Sequence, residues 1–283
     1  MRAVVITGAS SGIGRACALT LDDLGFHVFA GVRRDEDGQA LRRAASDRLV
    51  PVRIDVTDAG SIAGARDLVA ARVGTAGLAG LVNNAGTTLP CPVEYLPPER
   101  FRQQLEVNLT GHLVVIQTLL PLLRAGRGRI VNVSSVGGRI GGPLMASYVA
   151  AKHAMEGLSD TLRLELGWLG VHVAVIEPGL ISTSMGAKLR RDTEATLRSL
   201  PEDGRSRYRG PLQAMAHTIS REAANGSPPE VVARAVAHAL TSPRPRTRYP
   251  VGAGARRLLL LRRVLPDRWM DRLFLRTIGV RPA

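Results

Sequence analysis

Tyr148 and Lys152 are the residues whose types and spacing could do chemistry first. In a helix, side chains four residues apart share a face, so this phenol and this ammonium reach one point. A free phenol titrates near pH ~10, and a neighbouring positive charge favours the phenolate and brings it into use as a proton donor and acceptor. Only two of the chain's 38 basic residues are lysines, Lys152 and Lys188. An ammonium is a compact charge that fits beside a phenol and donates to ribose hydroxyls, whereas a guanidinium is a broad planar fork. By itself the Tyr-x-x-x-Lys spacing also fits a solvated helix face, so its meaning rests on its surroundings.

A second constellation lies near the N-terminus. The apolar run Ala3-Val4-Val5-Ile6 enters Thr7-Gly8-Ala9-Ser10-Ser11-Gly12-Ile13-Gly14 and then a helical pattern. Glycines let backbone approach a pyrophosphate, and the first amides of a helix favour its negative charge. Gly8, Ser10, Ser11, Gly12, Ile13 and Gly14 are therefore the candidate cradle, in a GxxxGxG spacing that differs from the general GxGxxG fingerprint. The next apolar run ends Gly31-Val32-Arg33-Arg34. A free ribose 2'-hydroxyl wants an acid there and a 2'-phosphate wants an arginine. Val32 cannot bind hydroxyls and Arg33 can clamp a phosphate, which favours NADP(H) over NAD(H), while Asp35, Glu36 and Asp37 leave NAD open.

The elements that must position these groups follow from apolar periodicity. β-type runs at residues 3–6, 27–31, 49–54, 80–83, 129–133 and 171–176 alternate with helical patterns such as 14–24 and 101–123. This alternation predicts an α/β fold, a doubly wound parallel sheet with helices on both faces. Residues 181–226 are arginine-rich and polar without an obvious strand, and read as a substrate-loop insertion over the site. Ser227-Pro228-Pro229-Glu230 reads as a serine-capped helix start with glutamate in the capping-box position, before a helix over 231–240 and a short strand over 248–251. Residues 1–254 form one domain in this reading, and 255–283 a basic amphipathic extension suited to a membrane surface, a partner or the domain itself.

Composition narrows the classes. With 283 residues and 45% hydrophobic content the chain can bury a large core. Two cysteines without metal-ligand spacing imply free thiols in a reducing compartment and no metal. The net charge of +14 is scattered, with only four Phe, four Tyr and two Trp for base stacking, so it reads as a basic surface rather than a nucleic-acid site. No export signal and no apolar run near the ~20 residues of a membrane span are visible, which predicts a cytoplasmic protein, with the tail leaving membrane association open.

Taken in order, TGASSGIG, Asp55, Asn83-Asn84-Ala85-Gly86, Asn108, Ser135, Tyr148-Val149-Ala150-Ala151-Lys152 and Pro178-Gly179 resemble the short-chain dehydrogenase/reductase family across about residues 3 to 185. The resemblance implies a Rossmann-type fold and reversible alcohol/carbonyl redox with a nicotinamide cofactor. It implies Tyr148 as general acid/base, Lys152 lowering its pKa and holding the nicotinamide ribose, Ser135 orienting the carbonyl and Asn108 supporting a proton-relay water. The family's Ser lies 13 residues before its Tyr, which selects Ser135 over Ser134. By the same resemblance Asp55 and Val56 meet the adenine, Asn83, Ala85 and Gly86 line the cleft, and Pro178, Gly179, Ile181 and Thr183 meet the carboxamide. It also implies a homodimer or homotetramer pairing the helices at 101–123 and 148–166.

The second strand and the leucine-rich tail look like the branch that includes steroid and retinol dehydrogenases, implying a lipophilic alcohol or ketone as substrate. Two rivals stand beside it. One is a 3-oxoacyl thioester reductase, whose acidic carrier or coenzyme A phosphates would suit a basic rim. The other is a noncatalytic dinucleotide-sensing protein, against which Ser135, Tyr148 and Lys152 all argue.

Overall fold

A computed structural model describes residues 2–280. Seven parallel strands form one sheet: β1 (Ala3–Ile6), β2 (His27–Val32), β3 (Leu49–Arg53), β4 (Gly80–Asn83), β5 (Arg129–Val133), β6 (His172–Pro178) and β7 (Arg248–Val251). Their order is β3-β2-β1-β4-β5-β6-β7. The chain winds one way from β1 to β3 and the other way from β4 to β7, so the direction reverses between β1 and β4. A crevice opens there at the carboxyl ends of the strands, the usual ligand position in such sheets.

Helices between the strands cover both faces: α1 (Gly12–Asp23), α2 (Asp35–Arg42), α3 (Ala59–Val73), α4 (Pro98–Leu105), α5 (Gly111–Ala125) and α6 (Ala146–Gly167). Parallel neighbours require crossovers of this length, and the central strands β1 and β4 are buried throughout because both their faces are covered. On one face Cys17 and Leu21 of α1 meet Val232, Val236 and Leu240 of α9 (Glu230–Thr241), below which lie Val4, Ile6 and Val28. On the other, Val69 of α3, Val115, Ile116 and Leu119 of α5 and Leu162 of α6 pack on Val5, Leu81 and Ile130. The polar stretch before α9 folds into α7 (Met185–Ser199) and α8 (Glu202–Ala224), and the tail into α10 (Ala255–Val264) and α11 (Asp267–Thr277).

Several expectations shift. β2 runs one residue further, to Val32, β3 stops at Arg53, and β6 runs from His172 to Pro178. The helix expected over 101–123 is two helices joined by a π turn, Glu106–Thr110. Ser227 does not cap α9; Pro229 holds the cap position without a side-chain bond, and the Ser227 backbone instead pairs with Leu180 and Ser182. The stretch read as loosely patterned is two helices, because Leu189, Thr193, Thr196 and Leu197 fall on one buried face whatever the polarity of the rest.

Pro98–Ala125 is long and apolar enough to cross a membrane by length and composition. In the fold, Val115, Ile116, Leu119 and Leu123 of this stretch are buried in the sheet-covering layer. Cys17 and Cys91 are free and buried, with burial pushing the Cys17 thiol up to about 12.

Candidate active site

The crevice is assembled from strand ends and the turns that follow them. After β1, Gly8 has φ +65°, and a Cβ there would lie 2.8 Å from the Ala85 Cα. A Cβ on Gly14 would strike the Gly8 carbonyl and the Asn84 side chain. Only glycine fits either place, so the turn after β1 and the loop after β4 lie backbone to backbone. Thr7 and Asn84 lock them: the Thr7 hydroxyl accepts from the Asn84 and Ala85 amides at 2.9 and 3.1 Å, and the Asn84 side chain donates to the Thr7 and Gly8 carbonyls at 3.0 Å. Neither residue was singled out from the sequence, although both stand inside the motifs that were.

α1 begins beside Ser10 with Ser11 at its cap position, without a side-chain capping bond and without an acid in its first turn. Its leading amides are thus available to an anion, and Ile13 packs against the core beneath them. Thr183 closes over this turn, its Cγ2 lying 3.2 Å from where a Cβ on Gly12 would be. The cradle fits a dinucleotide pyrophosphate because side chains are excluded where phosphate oxygens need backbone. Gly179 is similarly tight, its amide donating to the Val251 carbonyl at 2.8 Å after Pro178, and Ile181 is buried beside Ser227.

At the end of β2 the Val32 side chain is buried and Arg33 is exposed. Arg34 is taken by Asp37, with two bonds of 3.0 Å, whereas Arg33 makes no ion pair among the described residues. Asp55, beyond β3, is held below the usual carboxylate range: partial burial pushes it up, but the Thr57 amide and hydroxyl and the charges of Arg33 and Arg53 outweigh that. Val56 beside it is buried.

Across the switch point, Asn83 donates to Asn132 at 2.9 Å, and Asn132 donates to Ser159 at 2.9 Å, a buried polar chain beneath α6. Asn108 occupies the π turn and is fully buried. Its side chain accepts from the Thr87 amide and donates to the Thr87 carbonyl, both at 2.9 Å, so its amide group ties the loop after Gly86.

Ser135 follows β5 with its hydroxyl accepting from the Gly137 amide at 3.0 Å. A Cβ on Gly137 would lie 3.4 Å from both the Ser135 hydroxyl and the Tyr148 ring, which puts serine and phenol on either side of one glycine. Burial raises the Tyr148 pKa and a hydrogen bond with Ser135 opposes the rise. Lys152, buried on the same face of α6, donates to the Val133 carbonyl at 2.8 Å, with its Nζ 5.9 Å from the centre of the Tyr148 ring. Burial brings its pKa down to about 8, against the pull of Glu156. The lowering of the phenol expected from Lys152 does not appear in the protein alone, where burial raises Tyr148 and only the hydrogen bond with Ser135 opposes it.

An apolar cluster lies beside Tyr148. Met145, Leu189, Leu197, Leu200, Leu212 and Met215 form a buried cluster against which Tyr148 packs. The tail belongs to it: Ile278 is part of the same cluster and Met270 of α11 is buried.

A family model described as short chain dehydrogenase matches residues 2–194. Retinol dehydrogenase 16 of Homo sapiens is 39% identical over 282 residues, covering 95% of this chain and 86% of that one. A short-chain dehydrogenase from Streptomyces avermitilis superposes with a TM-score of 0.76 at 26% identity, covering 98% of this chain and 97% of that one. Another, from Burkholderia cenocepacia in complex with NADP, gives a TM-score of 0.72 at 27% identity over 97% and 99% of the two chains. A glycine cradle at the switch point, a serine, tyrosine and lysine gathered at its far side, and relatives matched over nearly the whole length lead to one conclusion. The chain belongs to the short chain dehydrogenase family, as an NAD(P)-dependent oxidoreductase acting on CH–OH groups.

Proposed function

We propose that this enzyme interconverts a hydroxyl and a carbonyl on a bulky lipophilic substrate of retinoid or steroid type, with NADP(H) as its preferred cofactor. The observation that carries the substrate class is the apolar cluster of leucines and methionines packed on Tyr148. A face of this kind recognises apolar volume and offers little to a carrier protein or a nucleotide phosphate. The 39% identity to a protein named retinol dehydrogenase supports the same class.

The residues divide the work. Bound nicotinamide supplies or accepts the hydride. Tyr148 gives the proton to the carbonyl oxygen in reduction and takes it from the hydroxyl in oxidation. Ser135 donates to the same oxygen and fixes its direction, and Lys152 holds the ribose while its charge lowers the cost of the phenolate. Gly8, Ser10, Ser11, Gly12, Ile13 and Gly14 hold the pyrophosphate, Asp55 and Val56 the adenine, and Asn83, Ala85 and Gly86 the wall of the cleft. Pro178, Gly179, Ile181 and Thr183 meet the carboxamide, and Asn108 supports the proton path. Arg33 supports NADP(H), being the arginine at the end of β2 that no carboxylate has taken.

Three further assignments complete the reading. Residues 1–254 form the catalytic domain, with 181–226 as its lid, and 255–283 extend it. In α10 and α11, Leu260, Val264 and Trp269 stand exposed among arginines, an arrangement suited to the surface of an anionic membrane, with the body of the enzyme in the cytoplasm. The helices α5 and α6 serve as the pairing surface of a dimer or tetramer.

The test is loss of NADPH and, separately, NADH absorbance over retinoids, steroids, simple ketones and acyl thioesters. NADPH-selective turnover of the lipophilic carbonyls is expected. Preference for thioesters would assign the enzyme to 3-oxoacyl reduction, and cofactor binding without turnover on any substrate would leave a sensing role.

A further inference from the structure

Behind the site lies a group of buried charges that the reaction outlined above does not use. Glu156 sits one helical turn beyond Lys152 on α6, and both are about as buried, at 5% exposure. Its Oε2 accepts from the Arg248 Nε at 3.2 Å, while its Oε1 is buried without a hydrogen-bond partner. The Arg248 guanidinium also reaches Asp160 at 2.7 Å and stands 3.6 Å from Glu177, the residue before Pro178. Arg139 approaches Glu177 from the rim at 3.4 Å.

Gly138 shows how closely this group meets the catalytic side. A Cβ there would lie 2.6 Å from the Ser134 hydroxyl, 2.9 Å from the Lys152 carbonyl and 3.1 Å from the Glu156 Cγ. The absence of a side chain lets the turn after Ser135 press onto α6 between them. The Ser134 hydroxyl, like Glu156 Oε1, is buried and unpartnered.

We propose that Glu156 is a positioning residue for the active-site ammonium: a buried carboxylate one turn along α6 whose negative charge, partly offset by Arg248, keeps Lys152 charged inside the site. Glu156 acts from four residues along the same buried face of α6 rather than through a direct ion pair, since the Lys152 Nζ donates to the Val133 carbonyl and Glu156 accepts from Arg248. Resting on the assignment of Lys152 given above, the proposal adds how a buried lysine remains protonated.

The other charges around Lys152 support this division. From α6 itself come Tyr148 and Glu156, from β6 Glu177, from β7 Arg248, and from the turn after β5 Arg139. His112 of α5 is buried, with its Nε2 2.7 Å from the Ala85 carbonyl, and burial together with the charge of Lys152 brings its pKa down to about 3, so it carries no charge at neutral pH. The anionic partner nearest along the helix is thus Glu156. Burial lowers Lys152 to about 8 and the charge of Glu156 opposes that fall. Arg248 tempers the carboxylates, being the cation both Glu156 and Glu177 face.

The chain has only two lysines, which makes the ammonium directly observable. Protein labelled with ¹³Cε-lysine and free of cofactor is titrated by NMR, with Lys188→Arg assigning the two resonances. In Glu156→Gln the Lys152 midpoint is expected to fall by about one unit, and in Glu156→Asp to return toward wild type. Arg248→Gln shifts it the opposite way, because the same carboxylates are then less neutralised, and gives an independent arm should Glu156→Gln fold poorly. The alkaline limb of kcat against pH moves with the midpoint. A Lys152 midpoint unmoved in whichever variant keeps the wild-type circular dichroism spectrum would reduce Glu156 to a structural anchor for Arg248. The titration involves no substrate, so a wrong substrate class leaves this result standing and a null result here leaves the substrate class untouched.

Discussion

The nucleotide cradle and the lid are built on opposite principles. In the cradle, Gly8, Gly14 and Gly179 meet backbone so closely that no side chain fits, and Thr7 and Asn84 bind the two turns by directed hydrogen bonds. In the lid, leucines and methionines fill volume against Tyr148, and long flexible side chains can do so in many combinations. A site fixed by backbone approach admits one residue type and therefore one ligand chemistry. A site fixed by volume admits a class of ligands. The reaction is legible for the first reason, and the exact substrate stays open for the second.

The largest effect comes from the group both regions share. Tyr148→Phe removes the hydroxyl and keeps the ring that packs under the lid, so kcat is expected to fall by about 10³-fold or more while the fold and cofactor affinity persist. Wild-type turnover in steady-state kinetics of this variant would refute proton transfer by the phenol. Next comes a change confined to the cradle. On the proposed NADP(H) preference, Arg33→Ala would remove a charge-assisted contact to the 2'-phosphate, so the KM for NADPH should rise by about 10- to 100-fold with that for NADH nearly constant. Equal rises for both cofactors would show that Arg33 does not read the phosphate.

The matching change in the lid is Leu212→Ala, at a fully buried position. A cavity there should cost about 2–5 kcal/mol of stability, read as a shift in denaturation midpoint. The KM for a lipophilic ketone should rise by about tenfold at most, and that for NADPH should hold. A cofactor KM that moves as much as the substrate KM would erase the distinction between the two regions.

How much was readable in advance follows the same division. The inner strands were legible because both faces of a parallel sheet are buried and they are apolar runs, whereas β7, Arg-Tyr-Pro-Val at the sheet edge, is mostly half-buried. The glycine turn, Ser135, Tyr148 and Lys152 were legible because their spacing is part of their chemistry. The lid helices were harder, since α7 carries its apolar residues at only a few positions among arginines and acids, and a mean over the segment hides the one buried face. Asn108 was named from the order of the motifs, whereas the tie of its side chain to Thr87 depends on a π turn that no local pattern announces. Glu156 and Arg248 lie 92 residues apart in sequence, and only the pairing of β6 with β7 brings them together.

The smallest expected effect lies at the rim of the lid, where directed bonds reappear. Tyr95 donates to Asp203 at 2.9 Å, while Arg207 and Tyr208 donate to Glu94 at 2.7 and 2.8 Å. The two phenol rings meet edge to face at 6.0 Å, and Gly204 leaves room for the Tyr95 ring, which a Cβ would approach to 2.7 Å. These bonds hold α8 to the loop before α4 from outside, with Glu94, Asp203 and Arg207 exposed and the two phenol rings half-buried against the apolar cluster. Hydrogen bonds from Tyr208 and Arg207 hold Glu94 below the usual carboxylate range, and one from Tyr95 does the same for Asp203. The same bonds raise both phenols. A depressed carboxylate contributes above its ordinary pKa and loses its contribution as pH falls through the depressed value. A raised phenol contributes below its ordinary pKa and loses its contribution as pH rises through the raised one. The latch is therefore at full strength between about pH 5 and 9. Glu94→Gln should raise the KM for a lipophilic ketone by about two- to fivefold across that window, and the difference from wild type should shrink as pH falls through the depressed pKa of Glu94. A difference that changes sign or grows within the window would mean that these side chains do not hold the lid.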